Sequence, residues 1–226
     1  MSLTSKMTTA WNKRRASLVA CALVFALACG VAVPVPALAD VRKADVVYGQ
    51  TVDARGLSVA QCPNIDAEYA LVMDADGTVY FERNATSPTQ IASITKVMTA
   101  IVALDAVASG AVSLDSTVTV SAAAAAVGES SAGLQEGDAM PLEVALKALL
   151  VPSGNDAAVA IAETVGGSED AFVAAMNAKA AELGCTDTVF ENPHGLDDGE
   201  FAGDQHSCAA DVAKMARYAM RNETFR

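Results

Sequence analysis

Two short motifs in the chain carry the residue types needed for acyl transfer through a serine ester. In Ser93-Ile94-Thr95-Lys96, a hydroxyl and an amine stand three residues apart, and residues at that spacing share one face of a helix. A serine hydroxyl is a poor nucleophile until a base removes its proton. Lys96 can be that base only if burial or a neighbouring positive charge lowers its pKa. The first motif therefore predicts Ser93 as a nucleophile and Lys96 as its base.

The second motif, Ser153-Gly154-Asn155, adds another hydroxyl and an amide. Each motif alone is weak, because Ser-x-x-Lys also describes an ordinary helix start and Ser-x-Asn an ordinary capped turn. Lys96, however, stands among apolar neighbours, where an unpaired lysine is costly. In this order, and with Ser153 following Ser93 by 60 residues, the two motifs are much more specific together.

The elements that must position these residues are mostly helical. Two runs rich in β-formers flank the turn residues 74–77, which predicts a hairpin of strands at 69–73 and 78–81. Apolar residues at helical spacing from Ile91 to about Ser109 predict a buried helix with Ser93 in its first turn. Further predicted elements are a strand at 117–120, a helix capped by Ser121, and helices at 142–150, 156–165, 168–183 and 209–221.

The N-terminal residues 1–39 have the pattern of an export signal. Four basic residues precede the apolar run 16–33, and Ala37-Leu38-Ala39 offers small residues before a cleavage point. An uncleaved membrane anchor is the alternative, since the run approaches the length of a short span. The sequence therefore predicts an exported protein of the cell envelope in three parts: a signal at 1–39, an arm or linker at 40–66 and a domain at 67–226.

The charge of the chain excludes one class of partner. Of 15 basic and 27 acidic residues, four basic and no acidic ones lie in residues 1–39. The remainder carries 11 basic and 27 acidic residues, a net charge of −16. Such a surface repels phosphate backbones, so nucleic acid is not an expected partner. It also disfavours electrostatic docking of this part of the chain on anionic lipid.

Cysteines and histidines give no clear metal or disulfide pattern. Cys62, Cys185 and Cys208 follow the signal, and a Cys185–Cys208 bridge and buried free thiols remain equal alternatives. His194, His206, Asp197 and Asp198 lack metal-ligand spacing, which favours a structural role in their loop. We therefore expect neither a metal nor another cofactor.

With both motifs in view, residues 67–225 resemble the serine-type D-alanyl-D-alanine carboxypeptidases, the low-molecular-mass penicillin-binding proteins. Four segments carry the resemblance: Leu71-Val72-Met73-Asp74, Ala92 to Ala100 around the first motif, Leu150 to Ala158 around the second, and Asn192-Pro193-His194-Gly195-Leu196-Asp197. The resemblance implies an α+β fold of the β-lactamase/transpeptidase type. Such a fold has an antiparallel sheet with helices on both faces, plus a helical subdomain.

The resemblance also implies a role for each motif residue. Ser93 would be the acylated nucleophile and Lys96 its general base. Ser153 would relay the proton to the departing D-alanine, and Asn155 would hold Lys96 and the substrate amide. The implied substrates are peptidoglycan stem peptides, and β-lactam antibiotics would acylate Ser93 as inhibitors.

Two other functions remain open in the sequence. A β-lactamase of the same superfamily is disfavoured by Gly154, where such enzymes carry the aspartate of Ser-Asp-Asn. A non-catalytic envelope protein that binds peptidoglycan is disfavoured by the intact Ser93, Lys96, Ser153 and Asn155.

The chain departs from the family pattern at its third motif. The 226 residues contain no Lys-Thr-Gly, which in the family binds the substrate carboxylate from a strand. The resemblance therefore implies that the C-terminal strands, and any membrane anchor, lie beyond Arg226. In the coding DNA downstream of Arg226, a Lys-Thr-Gly about 90–110 codons after Asn155 would support a carboxypeptidase function, since the resemblance implies that spacing.

From this departure we predict that residues 40–226 alone are inactive and poorly folded, because the few predicted strands cannot cover the apolar helix faces. Fluorescent penicillin should label this polypeptide weakly. Strong covalent labelling at Ser93 would contradict the prediction.

Overall fold

The computed structural model describes residues 45–47, 50–51 and 65–226. The predicted signal and Cys62 lie outside the described residues. None of the helices in the described part has the length and hydropathy of a membrane-spanning segment.

Short antiparallel strands form two sheets. The larger sheet has the strand order β2-β1-β4-β3, and β5 pairs with β6 in a second, two-stranded sheet. The described strands are β1 (Val46–Val47), β2 (Gln50–Thr51), β3 (Ala70–Met73), β4 (Val79–Arg83), β5 (Thr117–Thr119) and β6 (Ala139–Pro141).

The predicted hairpin is confirmed as β3 and β4. Its turn is held by Asp74, whose carboxylate accepts hydrogen bonds from the backbone N–H groups of Asp76 and Thr78 and from the Tyr80 hydroxyl. Gly77 has a φ of +94°, a conformation that glycine adopts without a steric penalty. The turn predicted at residues 74–77 is therefore closed by the Asp74 carboxylate together with Gly77.

The segment predicted as an arm or linker contributes to the same sheet. β1 pairs with β4 through Val46–Glu82 and Val47–Phe81. Beside this pairing, Arg83 and Asp45 form a buried ion pair with an N–O distance of 2.8 Å. Two-residue strands contain too few residues to show a period of two, which explains why the sequence pattern missed them.

The helices agree closely with the predicted spans. A 3₁₀ turn at Ala92–Ile94 leads into the first long helix, and another 3₁₀ turn lies at Gly199–Phe201. As predicted, Ser121 caps its helix by accepting a hydrogen bond from the Ala124 N–H at 3.0 Å. The described helices are α1 (Thr95–Ala108), α2 (Ala122–Ala126), α3 (Leu142–Leu150), α4 (Asn155–Gly166), α5 (Glu169–Glu182) and α6 (Ala209–Ala219).

The core is centred on α4, which packs against α1, α2, α3 and α5. Its residues 157–162 are all buried, and four of the six are alanines, whose small side chains let neighbouring helices approach closely. At the end of α4, a Cβ on Gly166 would lie 2.8 Å from the Cβ of the fully buried Phe172 of α5. This core thus fixes the start of α4, where the second motif lies. The same buried packing argues against the poor folding expected from the sequence. That expectation stays a prediction.

In contrast to the expectation drawn from the few strands, the helical core predicts that the chain unfolds cooperatively in urea. We further predict that Phe172→Ala lowers its free energy of unfolding by about 3–5 kcal/mol, because the loss of a buried aromatic side chain leaves a cavity. Val144→Ala is the control, since Val144 is 46% exposed on α3, and it should change that free energy by less than about 0.5 kcal/mol. A non-cooperative transition would instead support the expectation of poor folding.

Candidate active site

The 3₁₀ turn and the first turn of α1 bring Ser93 and Lys96 together. Lys96 Nζ lies 2.9 Å from Ser93 Oγ. Ser93 is exposed, whereas Lys96 is only 1% exposed and is among the largest fully buried side chains. The arrangement therefore combines an exposed hydroxyl, as a nucleophile requires, with an amine that is removed from water.

Burial lowers the pKa of Lys96 to about 8, while the negative charge of Asp156 acts in the opposite direction. With a pKa of about 8, roughly one Lys96 side chain in ten is neutral at pH 7, against roughly one in three thousand for an ordinary lysine. The neutral amine has a lone pair that can accept the Ser93 proton across the same 2.9 Å. Desolvation therefore supplies the lowered pKa that the first motif requires of Lys96.

A loop 98 residues away in sequence completes the environment of Lys96. The Lys96 ammonium donates a hydrogen bond to the His194 carbonyl at 2.9 Å, and the Thr99 hydroxyl donates to the Pro193 carbonyl at 2.6 Å. Two successive carbonyls of residues 192–195 therefore accept from two side chains of α1. Sequence reasoning did not find this partner of Lys96, because a backbone carbonyl has no residue-type signature.

The same loop comes into close contact with the nucleophile turn at Gly195. A Cβ built on Gly195 would collide with the carbonyl oxygen of Ala92 and would lie 3.0 Å from Thr95 Oγ1. Gly195 also has a φ of +96°, and Ala92 has the unusual positive φ of +44°. Glycine is thus required at 195, and the residue before the nucleophile is held in a strained conformation.

Ser153 and Asn155 lie at the start of α4. Ser153 is half-buried and has a φ of +62°, and Asn155 is the first residue of the helix. The Asn155 amide donates to the Gly128 carbonyl at 2.9 Å, and its backbone N–H donates to the Ser130 carbonyl at 2.8 Å. Within the described residues, no hydrogen bond joins Asn155 to Lys96, so the holding role implied for Asn155 stays a prediction.

Asp156 is a site residue that sequence reasoning missed. It is fully buried and accepts hydrogen bonds from the Ser131 hydroxyl and from the backbone N–H groups of Ala132, Leu134 and Ala157. Burial opposes its charge, yet these four donors hold the pKa of its carboxyl below the ordinary value. An acidic residue in the first turn of a predicted helix was the available signal, although it does not reveal the distant donors.

His194, whose backbone carbonyl binds Lys96, has a neutral side chain. Its Nδ1 accepts a hydrogen bond from the Leu196 N–H at 3.1 Å, which assigns the ring proton to Nε2. Burial, followed by the positive charge of Lys96, lowers the pKa of His194 to about 4. The imidazole is therefore uncharged at neutral pH and adds no positive charge beside Lys96.

One group of side chains in the described part has the proximity of metal ligands. Ligand atoms of Asp187, Cys208 and Asp211 lie within 4.8 Å of one another. The Asp211 carboxylate, however, already accepts from the Asp187 N–H, the Thr188 hydroxyl and Lys214. These contacts stabilise the start of α6 without a metal. Cys185 and Cys208 are buried free thiols, and burial raises the pKa of both.

The sequence that forms this site matches a known protein family. Residues 57–225, well over half of the chain, match the family Peptidase_S11, described as D-alanyl-D-alanine carboxypeptidase. The chain belongs to this family.

Relatives agree with this Peptidase_S11 assignment. The chain is 37% identical over 161 residues to the D-alanyl-D-alanine carboxypeptidase DacF of Bacillus subtilis, a match that covers 70% of this chain and 40% of that protein. It is also 37% identical over 164 residues to DacC of Escherichia coli, with coverage of 70% and 40%. The chain thus spans about two fifths of the length of these relatives.

Solved structures of related proteins have the same fold. Penicillin binding protein 6B from Escherichia coli superposes with a TM-score of 0.68 at 37% identity, over 73% of this chain and 53% of that one. The carboxypeptidase DacD from Francisella tularensis gives a TM-score of 0.67 at 34% identity, over 71% and 39%. The predicted α+β, transpeptidase-like fold class is confirmed.

We predict that Ser93 is acetylated by p-nitrophenyl acetate, with a rate that rises with pH through a midpoint near pH 8 as Lys96 loses its proton. This small ester has no free carboxylate, so its reaction does not require the Lys-Thr-Gly motif, which in the family binds the substrate carboxylate. Lys96→Met should lower the rate at least about 100-fold, the usual contribution of a positioned general base. Mass spectrometry of the Ser93 peptide measures the adduct.

Lys147→Met is the matched control, because Lys147 is an exposed lysine of α3 paired with Glu143. It should leave acetylation of Ser93 unchanged. Equal rates in Lys96→Met and the unsubstituted chain would contradict the assignment of Lys96 as the base.

Proposed function

We propose that this chain carries the nucleophile half of a serine D-alanyl-D-alanine carboxypeptidase that trims peptidoglycan stem peptides in the extracytoplasmic cell envelope. The observation that carries the proposal is the buried Lys96 Nζ at 2.9 Å from the exposed Ser93 Oγ. Membership of the Peptidase_S11 family supplies the substrate class. Because the chain spans only part of its relatives, the activity of the whole protein is part of the proposal.

In the acylation step, neutral Lys96 takes the proton of Ser93 while the Ser93 oxygen attacks the carbonyl carbon of the penultimate D-alanine. The new bond is an ester, and the peptide C–N bond breaks. Ser153 passes a proton from Lys96 to the departing amine of the terminal D-alanine. Asn155 binds the substrate amide. Water then hydrolyses the ester and restores the Ser93 hydroxyl.

Two features of the described residues support this sequence of steps. The backbone N–H of Ser93 lies at the start of the helical segment that leads into α1, where positive potential favours a developing oxyanion. The strained conformations of Ala92 and Ser153 occur at the nucleophile and at the proton relay, and strain of this kind clusters at active sites. β-Lactams are proposed to acylate Ser93 by the same attack on a strained amide.

The test joins residues 40–226 to the C-terminal part of the Bacillus subtilis relative that lies beyond the match. We predict that this chimera releases D-alanine from a peptide ending in D-alanyl-D-alanine. Ser93→Ala should abolish release, and Lys96→Met should lower its rate at least about 100-fold, since a general base contributes about that factor. Chromatography of the freed D-alanine gives the rate.

Release that persists in Ser93→Ala contradicts the proposal, as does a chimera that folds but never forms a Ser93 adduct with penicillin. Rapid turnover of benzylpenicillin, with no release of D-alanine, would instead identify a β-lactamase.

A further inference from the structure

Asp156 lies immediately after the second motif and connects it to a distant loop. Its Oδ2 accepts from the Ser131 hydroxyl at 2.6 Å and from the Leu134 N–H at 3.0 Å. Its Oδ1 accepts from the Ala132 N–H at 3.0 Å and from the Ala157 N–H at 2.8 Å. Three of the four donors therefore belong to residues 128–134, which we name the docking loop.

Further hydrogen bonds join the docking loop to the turn at residues 152–155, in both directions. The loop's Gly128 and Ser130 carbonyls accept from the side-chain amide and the backbone N–H of Asn155. The Ser130 hydroxyl donates to the Pro152 carbonyl at 3.2 Å. The turn that carries Ser153 and Asn155 is thus connected to one loop from both of its ends, and Asp156 supplies the charged contact.

The close packing between loop and turn leaves no room for a side chain at Gly154. A Cβ there would lie 2.6 Å from Asp156 Oδ1 and 2.9 Å from the Cβ of Ala132. Ser153 in the turn and Glu129 in the loop both have positive φ values, +62° and +65°. Such conformations persist only where the surroundings hold them, and the hydrogen bonds of Asp156 are the strongest available restraint.

We propose that Asp156 is a positioning residue, whose carboxylate clamps the docking loop against the turn of Ser153 and Asn155 and whose negative charge favours the Lys96 ammonium. This inference deepens the proposed function and rests on it. Among the titratable groups of the described residues, Asp156 on α4 and His194 on its loop are those coupled electrostatically to Lys96. Since His194 is neutral, the electrostatic effect on Lys96 comes from Asp156.

Asp156→Asn tests the clamp, because an asparagine fills the same space without the charge. If its oxygen takes the place of Oδ1, the Ala132 N–H keeps its acceptor. The asparagine NH₂ then faces the Leu134 N–H, and two donors cannot pair. We expect the Leu134 amide to exchange with deuterium about 10- to 100-fold faster, the loss typical of a hydrogen bond to a charged group, while Ala132 changes less.

The charge is tested by the pH profile of Ser93 acetylation with p-nitrophenyl acetate. A carboxylate favours the lysine ammonium, so its removal should move the midpoint of the profile to lower pH. Asp211→Asn is the matched control: Asp211 is also buried in the first turn of a helix and accepts from a backbone N–H and a hydroxyl. It should move neither the midpoint nor the exchange of Leu134.

Ser131→Ala removes one bond to Asp156 and keeps the charge, so it remains informative if Asp156→Asn fails to fold. It should speed exchange at Ala132 and Leu134 and leave the midpoint unchanged. Unchanged exchange in either folded variant, or an unchanged midpoint in Asp156→Asn, overturns the proposal. A Ser93 that resists acetylation in the unsubstituted chain contradicts the proposed function instead, and the exchange of Leu134 still decides the clamp.

Discussion

The removal of Lys96 from water is the constraint on which the rest of the site depends. An ammonium at the surface would stay protonated and could not take a proton from Ser93. Burial lowers the pKa of Lys96 to about 8, so that the base and its conjugate acid are both available near neutral pH. The cost of burying the amine is offset by two acceptors at 2.9 Å, the Ser93 hydroxyl and the His194 carbonyl.

That constraint explains why the site is assembled from segments that are distant in sequence. The 3₁₀ turn and α1 supply the proposed nucleophile and base. Residues 192–195 cover Lys96, and the start of α4 brings Ser153, Asn155 and Asp156. Each segment is held by close packing as well as by hydrogen bonds: Gly195 against Ala92, Gly154 against Ala132, and α4 against four other helices. The polar geometry is therefore as rigid as the core that supports it.

Sequence patterns predicted what depends on residue type and local spacing. The hairpin around Asp74, the Ser121 cap and the span of α3 are local features, and the Ser93–Lys96 pair follows from helical spacing. β1 and β2 were missed because two residues show no period. β6 (Ala-Met-Pro) was missed because it lacks the β-branched residues that revealed the equally short β5. The carbonyl acceptor for Lys96 and the donors to Asp156 could not be predicted, since they are backbone groups contributed by distant loops. Family resemblance supplied the roles of Ser153 and Asn155, but not the positive φ of Ser153.

The docking of residues 192–195 on α1 has a consequence for the newly made chain. Before this loop arrives, Lys96 is hydrated, has an ordinary lysine pKa near 10.4 and leaves Ser93 inert. The proposed nucleophile therefore gains its base only when segments 98 residues apart have come together. For the proposed nucleophile, folding itself therefore acts as the activation step.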